Sequence, residues 1–148
     1  MTRLSQFSIV TVLAITLSAC ATAPGPIFTG VAAPANNESN VYLYRKGALF
    51  AIGEAFEVSV DGTVVGRLYN KSYLRLPLKL GSHTLKVAPG GMGKASELKI
   101  DAVGNTNSFY EYDFVTGPLA NFLFIGSSIK PAEQTKAVED LKELKAGN

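Results

Sequence analysis

Cysteine and histidine each occur once in this chain of 148 residues, as Cys20 and His83, and tryptophan does not occur at all. A lone cysteine excludes an internal disulfide. One histidine falls short of the three or four nitrogen, sulfur or carboxylate ligands that a metal site wants, so neither a metal nor a cofactor is expected. Charge is also sparse. Fourteen Lys and Arg stand against twelve Asp and Glu, for a net charge of +2, with no long run of either sign. That balance lacks the basic footprint of a nucleic-acid binder. What the chain does have is apolar content, 47% of residues, enough at this length for one domain with a core of its own.

The single cysteine sits in an informative place. Arg3 is the only charged residue before Glu38. After it, "FSIVTVLAITLSA" (Phe7 to Ala19) forms an apolar run of about thirteen residues, or about 20 Å as a helix. A bilayer core needs about 30 Å. A positive start, a short apolar middle and small residues at its end describe a secretory signal peptide over residues 1–19.

The end of that segment, Leu17-Ser18-Ala19-Cys20, resembles the bacterial lipobox. The resemblance implies a diacylglycerol on the Cys20 thiol and cleavage before Cys20. The protein would then be held on a membrane by two or three acyl chains, where one alone would bind only marginally. Ala21, where aspartate would favour inner-membrane retention in Gram-negative lipoproteins, leans toward the outer membrane, facing the periplasm. The competing readings of Cys20 are a buried apolar thiol and a catalytic thiol, which would need a base nearby.

Residues 20–40 contain "ATAPGPIFTGVAAPANNESN", with three prolines, two glycines and no helical or strand period. The expectation is a flexible tether, reaching about 25 Å as a coil.

From Val41 the period becomes two. In "FEVSVDGTVVGRLY", Phe56, Val58 and Val60 alternate with polar residues up to Asp61-Gly62, the chemistry of a type I′ hairpin turn. Across that turn Val58 should face Val65, and Val60 should face Thr63. "YLRLPLKLGSHTLKV" repeats the device, with Leu74, Leu76, Leu78 and Leu80 on one face and Pro77 confined to an edge. "SELKI" and "NSFYEYDF" add strands. In "PAEQTKAVEDLKELKAGN", Ala137, Val138, Leu141 and Leu144 recur at helical spacing, so a helix is expected over 131–145, with Ser128 as a nearby cap and Gly147 as its stop. The fold class is therefore mainly β: a small antiparallel β-sandwich over residues 41–148 with one C-terminal amphipathic helix.

This pattern resembles PEGA-type β-sandwich modules and, more narrowly, a family of bacterial lipoproteins classed as a domain of unknown function. The resemblance is carried by Tyr42, Tyr44 and Arg45; by Val58, Val60, Asp61 and Gly62; and by Leu78, Gly81, His83, Thr84 and Leu85. It implies a fold and a place in the envelope, and it brings no ligand and no catalytic residue.

Candidate chemistry is thin. "PGGMGKAS" misses the phosphate-loop pattern, because Ala88 stands where its first glycine belongs and Ala95 follows Lys94 where Ser or Thr should. It reads as a hairpin loop. His83 reads as a strand residue beside a turn, and no catalytic group can be assembled. Tyr42 with Tyr44, and Tyr110 with Tyr112, each share a strand face. With Arg45 they form a candidate binding face, although Glu111 and Asp113 opposite the second pair favour a core position for it. "GPLANFLFIGSSI" is either a partner patch built on Leu119, Phe122 and Phe124, or a strand covered by the final helix, the reading preferred. The functional expectation is a lipid-anchored structural or protein-interaction module of the bacterial envelope, without catalysis, its partners the membrane and an envelope protein. The alternative is a lipoprotein binding a peptide or sugar on the Tyr/Arg face.

Overall fold

The computed structural model describes residues 22–49, 51–90, 93–116 and 124–148. The expected signal peptide and lipobox, with Cys20, lie outside the described residues, as do Leu119 and Phe122 of the expected partner patch. Among the described residues the strands are β1 (Glu38–Arg45), β2 (Phe56–Val60), β3 (Thr63–Leu68), β4 (Ser72–Lys79), β5 (Gly81–Ala88), β6 (Ser96–Ala102), β7 (Asn107–Thr116) and β8 (Phe124–Ala132). Helix α1 (Gln134–Leu141) and the short β9 (Lys145–Ala146) follow.

The strands form two sheets, ordered β8-β7-β1-β4-β9 and β3-β2-β5-β6. Neighbours pair antiparallel except β1 with β7 and β4 with β9. The inner faces meet in one apolar core. Val41, Leu43, Leu74, Leu76, Leu78, Tyr112 and Ile129 come from the first sheet, and Phe56, Val58, Val60, Leu68, Leu85, Val87 and Ile100 from the second. This is the expected β-sandwich. Each such side chain contributes about 1.5–3 kcal/mol as an upper estimate.

The turn chemistry follows the sequence at the first expected hairpin only; the second is not formed, because β4 and β5 enter different sheets and Gly81 and Ser82 belong to β5. Asp61 and Gly62 both have positive φ, 51° and 81°, as a type I′ turn demands. Val60 pairs with Thr63, but a bulge follows, so that Val58 pairs with Gly66 and Ser59 with Val64. Val65 is thus displaced from its expected place opposite Val58. Pro77 lies beyond the two residues of β4 that β9 covers, Ser72 and Tyr73, where a missing donor costs nothing. Leu80 leaves the stripe of Leu74, Leu76 and Leu78 and is exposed.

Two expectations need correction. The helix spans Gln134–Leu141, not 131–145. Pro131 belongs to β8, paired with Tyr110, on an edge strand that tolerates a residue without an N–H. The N-cap is Glu133, whose carboxylate accepts from the backbone of Thr135 and Lys136. At the other end the chain leaves the helix because Lys145–Ala146 gains a ladder along β4, with Lys145 N donating to Lys71 O and Gly147 N to Tyr73 O.

The second correction concerns the tether. Residues 22–32 are a strap laid on the sandwich, with Ala23 and Phe28 buried. Gly25 N donates to Ala146 O (2.9 Å), Phe28 N to Leu144 O (3.0 Å), and Ala146 N to Pro26 O (2.8 Å). Further along, Ala32 N donates to the Tyr42 hydroxyl (2.9 Å) and Asn40 Nδ2 to Ala32 O (3.0 Å). The strap shows no strand period because its backbone partners lie on the distant tail, not on a regular ladder.

Candidate functional site

β1 is central in its sheet and buried on both faces, which is why "VYLYR" has no polar alternation. Val41 and Leu43 face the inter-sheet core, while Tyr42 and Tyr44 face outward into a second cluster with Phe28, Phe109, Ala137, Leu141 and Leu144. Tyr42 stacks on Phe109 with centroids 5.2 Å apart, and Phe28 meets Tyr73 edge-on at 5.4 Å. The helix and the strap roof this layer.

The candidate tyrosine face is therefore corrected. Tyr42, Tyr44, Arg45 and Tyr112 are all fully buried. Tyr110 is only half-buried, packed against the inter-sheet core. The helix covers the outer face of β1 and β7 with Ala137 and Leu141. Of the "NFLFIG" segment expected beneath it, the backbone of Phe124 opens β8 in register with Thr116.

Arg45 is a structural cation. Its Nη1 donates to Glu54 O (3.1 Å) and its Nη2 to Ala51 O (2.7 Å). The guanidinium lies 4.5 Å from the centroid of Phe56 and 5.2 Å from that of Phe114, a cation–π seat. Burial pulls its pKa down, but an arginine remains charged in proteins. Its work is to hold loop 46–55 against the sandwich.

On the rim of the outer layer, the Tyr44 hydroxyl donates to Asp140 Oδ2 (3.3 Å), and Lys136 and Lys46 tie Asp140 and Glu111 together. Burial first, then the charges of Glu111 and Asp140, push the Tyr44 phenol far above its ordinary pKa. It stays protonated and serves as a donor, not a base.

His83 is clasped, as its position beside a turn suggested. Its Nδ1 lies 2.6 Å from Asp61 Oδ2 and its Nε2 lies 2.9 Å from Lys79 O, while Asp61 Oδ1 accepts from Thr84 N. This pair joins the β2–β3 turn to the β4–β5 turn. Among the described residues, no group of three or more His, Cys, Asp and Glu is placed to hold a metal, and no helix is long and apolar enough to cross a membrane.

Two cavities involve the strap. One of about 480 Å³ lies between strap, β4 and tail, lined by Phe28, Thr29, Tyr73, Arg75 and Asn148 among others. The other, about 390 Å³, is lined by Thr22, Ala23, Ile52, Asn70, Lys71, Glu143 and Lys145. It lies at the end of the sandwich where the described chain begins. Thr22 bridges to Asn70, and Asn70 Oδ1 accepts from Ala48 N (3.0 Å), so that strap, loop 46–55 and the Asn70–Lys71 turn meet at one place. Sequence reasoning passed over this cluster. The available signal was "GALFAIG", apolar residues between glycines in a stretch without period.

No family model, no curated protein and no solved structure matches this chain.

Proposed function

We propose that this is a lipid-anchored protein of the bacterial envelope whose sandwich serves as a structural or protein-interaction module, without catalysis. The observation that carries the reading is Leu17-Ser18-Ala19-Cys20 at the end of a short apolar segment. The bridge of Thr22, two residues after the cysteine, to Asn70 fits it, since the domain would then be seated directly at its anchor. Ala21 favours the outer membrane, facing the periplasm. For the interaction role, the support is edge strand β3, where Val64 and Val65 are both exposed ahead of the Arg67 end that the tail covers; such an edge offers backbone groups and apolar contacts to a partner strand.

Replacing the thiol tests the anchor. Cys20→Ser should accumulate unprocessed precursor and abolish palmitate labelling. Processed, labelled protein from that variant would sink the reading. Crosslinking in intact envelopes, with and without Val64→Lys, tests the partner edge, which should lose its adducts.

A second reading, peptide or sugar binding, moves from the buried tyrosines to the cavity of about 480 Å³, where Tyr73 and Arg75 combine an aromatic edge with a cation. Titration with short peptides and oligosaccharides, followed by NMR at Thr29, Arg75 and Asn148, tests it. Unmoved signals would remove it.

A further inference from the structure

The two ends of the sandwich are unlike, and the strap decides which of them faces the anchor. At one end, beyond β1, Leu49 is 93% and Ile52 56% exposed. Both are large apolar side chains, and Ile52 lines the cavity whose wall includes Thr22. Only one residue separates Thr22 from Cys20, so the lipid attachment point lies within about 7 Å of Thr22 along the chain. Lys71 and Lys145 border the same cavity, with Glu143. Neither lysine makes an ion pair among the described residues. The Lys71 stem packs so closely on Gly47 that a Cβ there would meet its Cε at 2.6 Å.

The opposite end, about 23 Å away along β1, also shows apolar side chains, Leu80 and Val103. A free tether of twenty residues would let either end meet a bilayer. A strap hydrogen-bonded to the tail from Gly25 to Phe28 does not.

We propose that the end of the sandwich carrying Leu49 and Ile52 is a membrane-contact surface: the domain sits on its own bilayer in one orientation, with Leu49 and Ile52 in the headgroup–acyl boundary and Lys71 and Lys145 at the phosphates. This rests on the lipid-anchor reading of Cys20. Apolar side chains at such a boundary add affinity in proportion to the area buried, and lysines can lay their stems along the apolar surface with the ammonium among anionic headgroups.

The test uses the full chain made in a bacterium, with the lipid on Cys20 checked by mass spectrometry, in vesicles of phosphatidylethanolamine and phosphatidylglycerol. A polarity-sensitive dye is attached through Gly53→Cys, which keeps Leu49 and Ile52, or through Val103→Cys at the far end; the acylated Cys20 does not react. Quenching by lipids spin-labelled near the headgroup should be several-fold stronger at position 53 than at 103. Adding Leu49→Glu and Ile52→Glu should bring position 53 down to the level of 103, while the lipid mass and the membrane fraction stay unchanged. A missing lipid mass overturns the anchor and this surface together. A lipidated protein with equal quenching at both positions, or with quenching at 53 indifferent to the double substitution, overturns the surface alone.

Discussion

The inner core and the outer layer of this protein bury similar side chains by different means. The inter-sheet core draws largely on strands such as β4 and β6, whose alternation marks the inward face, and on β2, joined to β3 by a tight turn. The outer layer brings Phe28, Tyr42, Phe109, Leu141 and Leu144 together from segments at opposite ends of the chain. The inner core is a closed structure, from which nothing can leave without opening both sheets. The outer layer is roofed by a strap and a tail that bond to each other and hold to the sandwich along one edge and through single side chains. The expected consequence is two levels of stability, the outer layer opening without the inner one.

The largest effect should come from the closed side. Leu43 is fully buried between the sheets in the central strand. Leu43→Ala should cost about 2–5 kcal/mol, a transfer loss plus a cavity that the sheets cannot collapse to fill. Denaturant unfolding should show it as a lower midpoint with an unchanged slope. A loss well under 1 kcal/mol would remove the distinction between the layers.

Phe28→Ala tests the open side. In a closed core such a change costs about 3–5 kcal/mol. Here the global loss is expected at only about 1–2 kcal/mol, because the strap can detach and cap the penalty. Amide exchange should read the difference directly, with protection lost at Gly25, Phe28 and Ala146 and kept in β2 and β5. Protection lost uniformly would mean that strap and sandwich are one cooperative unit.

The same contrast explains what could be read in advance. The β2–β3 hairpin was legible because its information is local: Asp61-Gly62 selects its turn, and alternation selects the face of Val58 and Val60. The second hairpin expected at Gly81-Ser82 was not, because which sheet a strand joins is set by distant partners: β4 pairs with β1 and β5 with β2. The burial of Tyr42 and Tyr44 was ambiguous because a central strand covered on both faces shows no polar side, and its outer cover comes from residues nearly a hundred positions away. The strap was misread for a related reason. Proline and glycine there prevent a regular ladder, and the lone aromatic, Phe28, is a weak signal until the tail is in place. Gly147 was read as a helix stop, yet its position has a different cause: a Cβ there would run into the carbonyl oxygen of Arg67.

That contact gives a finer probe of the tail. Gly147→Ala should force the tail away from β3 at a cost of about 1 kcal/mol or somewhat more, and should loosen the hydrogen bond from Arg67 N to Asn148 O. If the tail supports the strap, Phe28 should lose exchange protection in this variant although it is untouched. Unchanged protection at Phe28 would show that the strap holds to the sandwich without the tail.

The smallest effect belongs to the rim of the inner core, where the clasp of His83 and Asp61 predicts a pH dependence whose sign follows from the geometry. With Nδ1 against a carboxylate and Nε2 against a carbonyl oxygen, both ring nitrogens must donate, and only the imidazolium does so. The Asp61 hydrogen bond, then that of the Lys79 carbonyl, raises the His83 pKa above its ordinary 6.5. The Thr84 amide, then His83, lowers Asp61 below its ordinary 3.8. A raised histidine stabilises the fold fully below the unfolded value, and that contribution is lost as pH rises through the folded one. A lowered aspartate contributes above its unfolded value and loses that contribution as pH falls through the folded one. Both contributions are therefore complete between about pH 4 and 6.5 and fade on either side. Both groups touch solvent, so screening keeps the effect small. The measurement is the difference in melting temperature between the native chain and His83→Gln across pH. It should be greatest in that window and shrink toward alkaline pH as the native imidazolium loses its proton. A difference that stays flat from pH 4 to pH 9 would mean that the clasp holds the two turns together by shape alone.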